Sequence, residues 1–243
     1  MTCTGTAPAA ACEPLWARPA MRGASPDAWR PGGLELTDRA AALAGVKPGW
    51  RVLDAGCGTG ASALHLRRRY GALAAGMDML AGRHRQGDVP CRVATGVPMV
   101  RADAMQPPFI PESFHMILCE CVLSLLPDPA RALHIFRNLL RSGGTLAVTD
   151  LYLTGQKKHT LPAGSCLGWQ ATRSGILTML RQAGFLPLCF EDHTPMLGTL
   201  AARLVLAGEP LCSLSAAAAG RSANIPHTGT GAGYFLLLAR RSG

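Results

Sequence analysis

Apolar residues along this chain come in short runs separated by stretches of helical spacing. The first run, Val52-Leu53, ends at Asp54 and a turn with glycine at 56, 58 and 60, and a helix is predicted from about Ala61 to Tyr70. Ala72 to Met77 reads as a second strand ending at Asp78, and Val100 to Asp103 as a short third one. Ser113 to Val122 is a longer apolar strand that carries Cys119 and Glu120 into Leu123-Ser-Leu-Leu-Pro127. A helix from Pro129 to Leu140, a break at Ser142-Gly-Gly144 and a strand from Thr145 to Asp150 follow. The pattern continues with a helix from Thr172 to Ala183 stopped by Gly184, a strand from Phe185 to Phe190, a helix from Met196 to Leu206 and a final strand from Tyr234 to Ala239. Strands alternating with helices at this spacing predict an α/β, Rossmann-like fold, with a mostly parallel sheet covered by helices on both faces.

Ahead of the first strand, apolar positions at Leu34, Leu36, Ala40, Leu43 and Ala44 predict a helix over 34–44. Trp29-Arg-Pro-Gly-Gly33 precedes it; the glycine pair reads either as a helix entry turn or as backbone brought close to a ligand. Residues 1–33 are expected to form an N-terminal extension or cap, in part disordered, and 34–243 the main domain. Within that domain the Ala-, Gly-, Ser- and Thr-rich stretch 208–231 reads as a flexible loop.

The glycine turn carries the chemistry. Without side chains there, backbone can approach a nucleotide-like ligand, and the helix that follows offers unpaired N–H groups and a positive dipole end. An acid at the tip of the second strand, Asp78, can accept both hydroxyls of a ribose. The stretch Val52-Leu-Asp-Ala-Gly-Cys-Gly-Thr-Gly60, with Asp78, Asp103 and the Arg141-Ser-Gly-Gly-Thr-Leu approach to the fifth strand, resembles the class I S-adenosylmethionine-dependent methyltransferases. The resemblance implies a seven-stranded sheet whose last strand inserts antiparallel between the fifth and sixth. It implies S-adenosylmethionine as cofactor, held by Asp54, Gly56, Cys57, Gly58 and Gly60 at the methionine end and by Asp78 at the ribose. Met79 would pack on the adenine, Asp103 and Ala104 would meet its amino edge, and Cys119 to Val122 would lie beneath the sulfonium.

Within that class the chain is similar to the arsenite and quinone C-methyltransferases. Cys121-Val-Leu-Ser-Leu-Leu-Pro-Asp128 resembles their fourth-strand motif, and Gly164-Ser-Cys166-Leu-Gly-Trp resembles a segment that carries one of their metalloid-binding cysteines. Thiolates suit a soft metalloid. The position after the glycine turn where those enzymes carry another cysteine is Ala63 here, and only Cys189 and Cys212 remain as a third. Cys166 therefore stands both as a candidate acceptor-side thiol and as a small loop residue. Cys119 and Cys121, two apart on a strand, are expected to share one face as core residues.

An activated methyl donor needs chiefly a nucleophile placed in line and the exclusion of water; a base helps where the acceptor is a hydroxyl or a carbon acid. His159, in the loop expected at the substrate mouth, is the candidate base, with His115 as a strand residue expected to be buried. Glu120 is expected to contact the sulfonium side or a substrate amine.

The chain has 243 residues, enough for one well-buried core with a small appendage, and no run approaches the roughly 20 apolar residues of a membrane span. The first 25 residues lack a basic start followed by an apolar segment, and nine cysteines read as reduced thiols, so a cytoplasmic location is expected. The net charge of +9 comes from basic groups scattered over helix ends and turns, which reads as solvated surface. The stretch from Cys119 to Pro127 lacks the platform with an aromatic end that base-flipping enzymes use. A small-molecule acceptor is expected, with no nucleic-acid partner and no metal. Two other readings stay open. One is a cofactor-binding accessory protein without turnover. The other is a nicotinamide enzyme, since Gly56, Gly58 and Ala61 fit a loose dinucleotide fingerprint, although Asp54, Asp103 and the lack of a nicotinamide half count against it.

Overall fold

Seven apolar runs hydrogen-bond into one sheet in this computed structural model, which describes residues 19–25, 28–79, 85–86, 89–90, 96–155, 169, 171–208 and 231–243. In chain order the elements are α1 (Pro19–Ala24), α2 (Gly33–Ala44), β1 (Arg51–Ala55), α3 (Ala61–Tyr70), β2 (Leu73–Asp78), β3 (Arg85–Gln86), β4 (Val89–Pro90), β5 (Met99–Arg101), β6 (Phe114–Glu120), α4 (Pro129–Leu139), β7 (Leu140–Leu153), α5 (Arg173–Gln182), β8 (Phe185–Asp192), α6 (Thr194–Leu206) and β9 (Ala232–Arg241). The sheet order is β5-β2-β1-β6-β7-β9-β8, with β3 and β4 pairing apart from it. The strands from β5 to β7 in that order pair in parallel, and β9 lies antiparallel between β7 and β8, as the resemblance implies.

The helices start and stop where local chemistry allows. Asp128 accepts the Arg131 N–H ahead of α4, whose first residue is Pro129, and Thr172 accepts the Gly175 N–H ahead of α5. Three arginines, Arg67 to Arg69, occupy the last turn of α3, where the negative dipole end favours them.

The sheet is buried on both faces. Leu53, Met77, Ile117, Phe136, Phe235 and Leu237 pack on the side of α4 and α5; Val52, Leu66, Met116, Leu118 and Leu236 pack on the side of α2 and α3. Met21 and Ala24 of α1 pack against Leu200 and Leu204 of α6.

Four expectations change. The fifth strand of the sequence reading extends well beyond Thr145–Asp150, to Leu140–Leu153, because β9 pairs with it from Thr145 to Leu153. The strand expected at 100–103 is Met99–Arg101, so Asp103 follows it in a turn. Cys119 and Cys121 lie on opposite faces of the sheet. Cys121 has a left-handed backbone, φ 56°, which breaks the strand alternation: Cys119 faces the α4 side, while Cys121 joins Leu36, Leu151 and Tyr234. His115, expected to be buried, is only half-buried at the amino end of β6, stacked on Trp50 with ring centroids 5.5 Å apart. The loop expected over 208–231 falls almost entirely outside the described residues.

Candidate functional site

The parallel strands β1, β2, β6 and β7 end at one edge of the sheet, each with or near a carboxylate: Asp54, Asp78, Glu120 and Asp150. Such an edge is where open α/β sheets bind ligands.

Asp54 is buried, and its neighbour across the sheet at register is Leu118 of β6. One interaction comes from the Ala63 N–H in the first turn of α3. Its Oδ2 has no hydrogen-bond partner among the described residues. Burial, and then the nearby Glu120 carboxylate, push its pKa up to about 8, against a smaller opposing pull from Arg30.

The turn after β1 is built for close approach. Gly56 has φ 79°, and a Cβ there would lie 2.2 Å from Cγ2 of Val122, so the turn and the loop after β6 touch with no room for a side chain. Gly58 has φ 53°, and a Cβ there would meet nothing within 4 Å; its backbone borders open space. The Gly58 N–H donates to Oδ2 of Asp78 at 2.9 Å, which ties the turn to the tip of β2. Met79, next to Asp78, is 62% exposed, an apolar surface at the rim. Asp103 accepts the Met105 N–H at 2.8 Å, and Ala104 beside it is buried.

Glu120 is held by internal hydrogen bonds at the tip of β6. Its oxygens are taken by the protein: Arg30 Nη2 donates at 2.5 Å, Ser62 Oγ at 2.7 Å and Thr37 Oγ1 at 3.1 Å. Arg30 Nη2 also donates to Thr37 Oγ1 at 2.6 Å and Ser62 Oγ at 3.0 Å, and Nη1 to the Gly33 carbonyl. Glu120 thus anchors the segment before α2. The glycine pair belongs to that anchored entry, since a Cβ on Gly32 would meet Leu36 and Met196 at 2.6–2.7 Å.

Both cysteines named as cofactor contacts point into the protein. Cys57 packs its sulfur on Gly76 of β2, and Cys119 is wholly buried among core side chains, because the strand's alternation turns it toward α4; burial pushes both thiols up. Their backbones, not their thiols, can border the site. His159 and Cys166 lie outside the described residues, as does Cys212; Cys189 stands half-buried on β8.

Sequence reasoning missed Arg30, Thr37, Ser62 and the pair Ser124–Asp150. Asp150 is fully buried; it accepts from the Ser124 N–H at 2.8 Å, from Ser124 Oγ at 2.7 Å and from the Leu151 N–H at 2.8 Å. It fastens the loop after β6, which borders the site through Val122. The one local signal for it was an acid at the tip of the fifth strand.

Taken together, the edge offers an unpartnered buried carboxylate oxygen, a glycine turn open on one side, a second carboxylate at the tip of the next strand, and an exposed thioether. That set suits a ligand with a cationic group at one end, vicinal hydroxyls in the middle and a flat apolar ring at the other.

Residues 53–148 match a protein family described as a methyltransferase domain. Methyltransferase GfsG of Streptomyces halstedii is 30% identical over 130 residues, 51% of this chain and 45% of that protein. Arsenite methyltransferase of Rattus norvegicus is 28% identical over 81 residues, 31% of this chain and 22% of that one. The chain spans about half the length of the first curated relatives it matches. Among solved structures, the [4+2]-cyclase SpnF superposes with a TM-score of 0.64 at 22% identity, over 86% of this chain and 80% of that chain. Among the described residues no helix is long and apolar enough to cross a membrane.

Proposed function

We propose that this chain, which carries a class I methyltransferase domain, transfers a methyl group from S-adenosylmethionine to a small-molecule acceptor. The observation that carries the reading is Asp54 Oδ2, a buried carboxylate oxygen with no hydrogen-bond partner among the described residues, on the strand that leads into the turn of Gly56 and Gly58. An anion buried in that way is stabilised by a cation, and S-adenosylmethionine brings an ammonium and a sulfonium at one end.

When bound, the cofactor supplies a methyl group already activated by its positive sulfur. The chain's part is to bind, orient and exclude water. Asp54 and the N–H groups at the start of α3 receive the amino-acid end. Asp78 accepts the ribose hydroxyls while it holds Gly58 in place. Met79 covers one face of the adenine, and Asp103 with the Ala104 backbone meets its amino edge. Glu120 and Arg30 hold the segment before α2 over the site, and Ser124 with Asp150 holds the loop that carries Val122 against Gly56. Orientation of this kind is the main demand of an in-line displacement.

The acceptor belongs to a thiol, metalloid or quinone-like class, with His159 and Cys166 as the acceptor-side candidates. Among the relatives, one is named an arsenite methyltransferase, which supports the metalloid member of that class. The second reading is a protein that binds the cofactor without methyl transfer, which the lack of a clear catalytic base among the described residues permits.

Titration calorimetry with S-adenosylmethionine and S-adenosylhomocysteine, followed by transfer of labelled methyl to a panel of thiols, arsenite, hydroxyls and quinols, tests both. Binding with transfer supports the first reading and binding without transfer the second. Absence of binding sinks both.

A further inference from the structure

Asp54 and Glu120 stand at the tips of the adjacent strands β1 and β6, and one buried cation serves both. Arg30 is 5% exposed and bonds Glu120 directly; it has no hydrogen bond to Asp54 among those of the described residues. Among the described residues the other ionisable groups facing Asp54 add no positive charge: Asp78 on β2, Cys57 in the turn and Cys119 on β6. From α3 the Ala63 N–H bonds it. Asp54 is 3% exposed, so water does not compensate. Two carboxylates with one arginine leave the cluster one negative charge in excess when both are ionised, in surroundings where an uncompensated charge is costly.

We propose that Asp54 holds a proton in the free protein and releases it to solvent when a cationic ligand group takes the place beside Oδ2, so that cofactor binding is coupled to the loss of one proton. The inference rests on the cofactor reading above. In it Asp54 is a neutral acid until the cation arrives. The ligand ammonium then neutralises the carboxylate, the O–H bond breaks and the proton passes to buffer. Arg30 is the positioning residue: committed to Glu120, Thr37 and Ser62, it leaves Asp54 to the ligand. The high affinity of the Asp54 carboxyl for its proton agrees with this geometry.

The consequence is a pH-dependent affinity whose sign follows from linkage. Acid competes with the ligand, so binding strengthens as pH rises toward neutrality, by about tenfold per pH unit between pH 5.5 and 7. Above about pH 8 Asp54 has lost its proton in the free protein as well and the gain stops.

The test uses the full chain with S-adenosylhomocysteine at pH 6.5. Heats measured in phosphate, HEPES and Tris, which differ in ionisation enthalpy, give the protons exchanged. The expected result is release of about one proton per ligand bound. Methylthioadenosine, which has the nucleoside and thioether but no amino-acid end, is expected to bind with no proton exchange. In Asp54→Asn the release vanishes and the pH profile of affinity flattens. Binding of S-adenosylhomocysteine without proton release, or with equal release for methylthioadenosine, overturns the proposal and leaves the cofactor reading standing. No binding of either compound overturns both. The wild-type measurements decide the matter even if Asp54→Asn fails to fold.

Discussion

Arg30 and Glu120, 90 residues apart in sequence, meet at 2.5 Å inside the protein, with side chains 5% and 4% exposed. The pair joins the segment before α2 to the tip of β6, and Thr37 and Ser62 complete its hydrogen bonds from α2 and α3. Four pieces of chain that converge on the site are thus tied through one arginine and one carboxylate.

Removing either partner leaves a charge buried without compensation. Arg30→Met or Glu120→Ala is expected to lower stability by about 3–5 kcal/mol. The double variant Arg30→Met/Glu120→Leu, which buries no charge, is expected to cost clearly less than the two single losses added together. Urea unfolding of the three variants reads this; additive losses would show that the pair is not coupled.

The two glycines at 56 and 58 separate folding from binding. Gly56→Ala forces a Cβ against Val122 in a left-handed backbone and is expected to cost about 2–4 kcal/mol of stability. Gly58→Ala meets no atom of the described residues and is expected to cost about 1 kcal/mol, yet to weaken S-adenosylhomocysteine binding by at least about tenfold if its methyl enters the ligand's space. Thermal melts beside ligand titrations distinguish the two, and unchanged affinity in Gly58→Ala would place the ligand elsewhere.

Asp78→Ala removes a charged acceptor at the tip of β2. Affinity for both S-adenosylhomocysteine and methylthioadenosine is expected to fall about 10- to 100-fold, since both carry the ribose. A loss confined to one of them would contradict the ribose assignment.

Asp150 sets a pH dependence of stability. Burial raises its pKa to about 6 from the ordinary 3.8, opposed by its bonds from Ser124 and Leu151. The folded protein therefore keeps a proton that the unfolded chain gives up above about pH 4. The contribution is complete below that pH and is lost as pH rises through 6, about 3 kcal/mol in all by pH 7. Denaturant midpoints between pH 4 and 7 should show that decline, and Asp150→Asn should remove this part of it.

The order of strands and helices, the glycine turn and the acids at 54, 78 and 103 could be read along the chain, because each is a local matter of hydrophobic period, turn chemistry and strand ends. The helix over 61–70 and the strand pattern around it were legible for that reason, and the family resemblance supplied the place of β9. The role of Glu120 was not legible. Its position at a strand tip says only that it reaches the edge of the sheet; that Arg30, Thr37 and Ser62 occupy its oxygens depends on how α2 and α3 pack. Alternation predicted one face for Cys119 and Cys121, and a single left-handed residue at the end of β6 reversed it. The sequence by itself determined which elements form and which acids reach the carboxyl edge. Only the tertiary structure decided which of those acids are already paired and that Asp54 keeps a buried oxygen with no hydrogen-bond partner among the described residues. Pairing between residues 26 to 90 apart follows from the close packing of buried surfaces, and no periodicity along the chain encodes it.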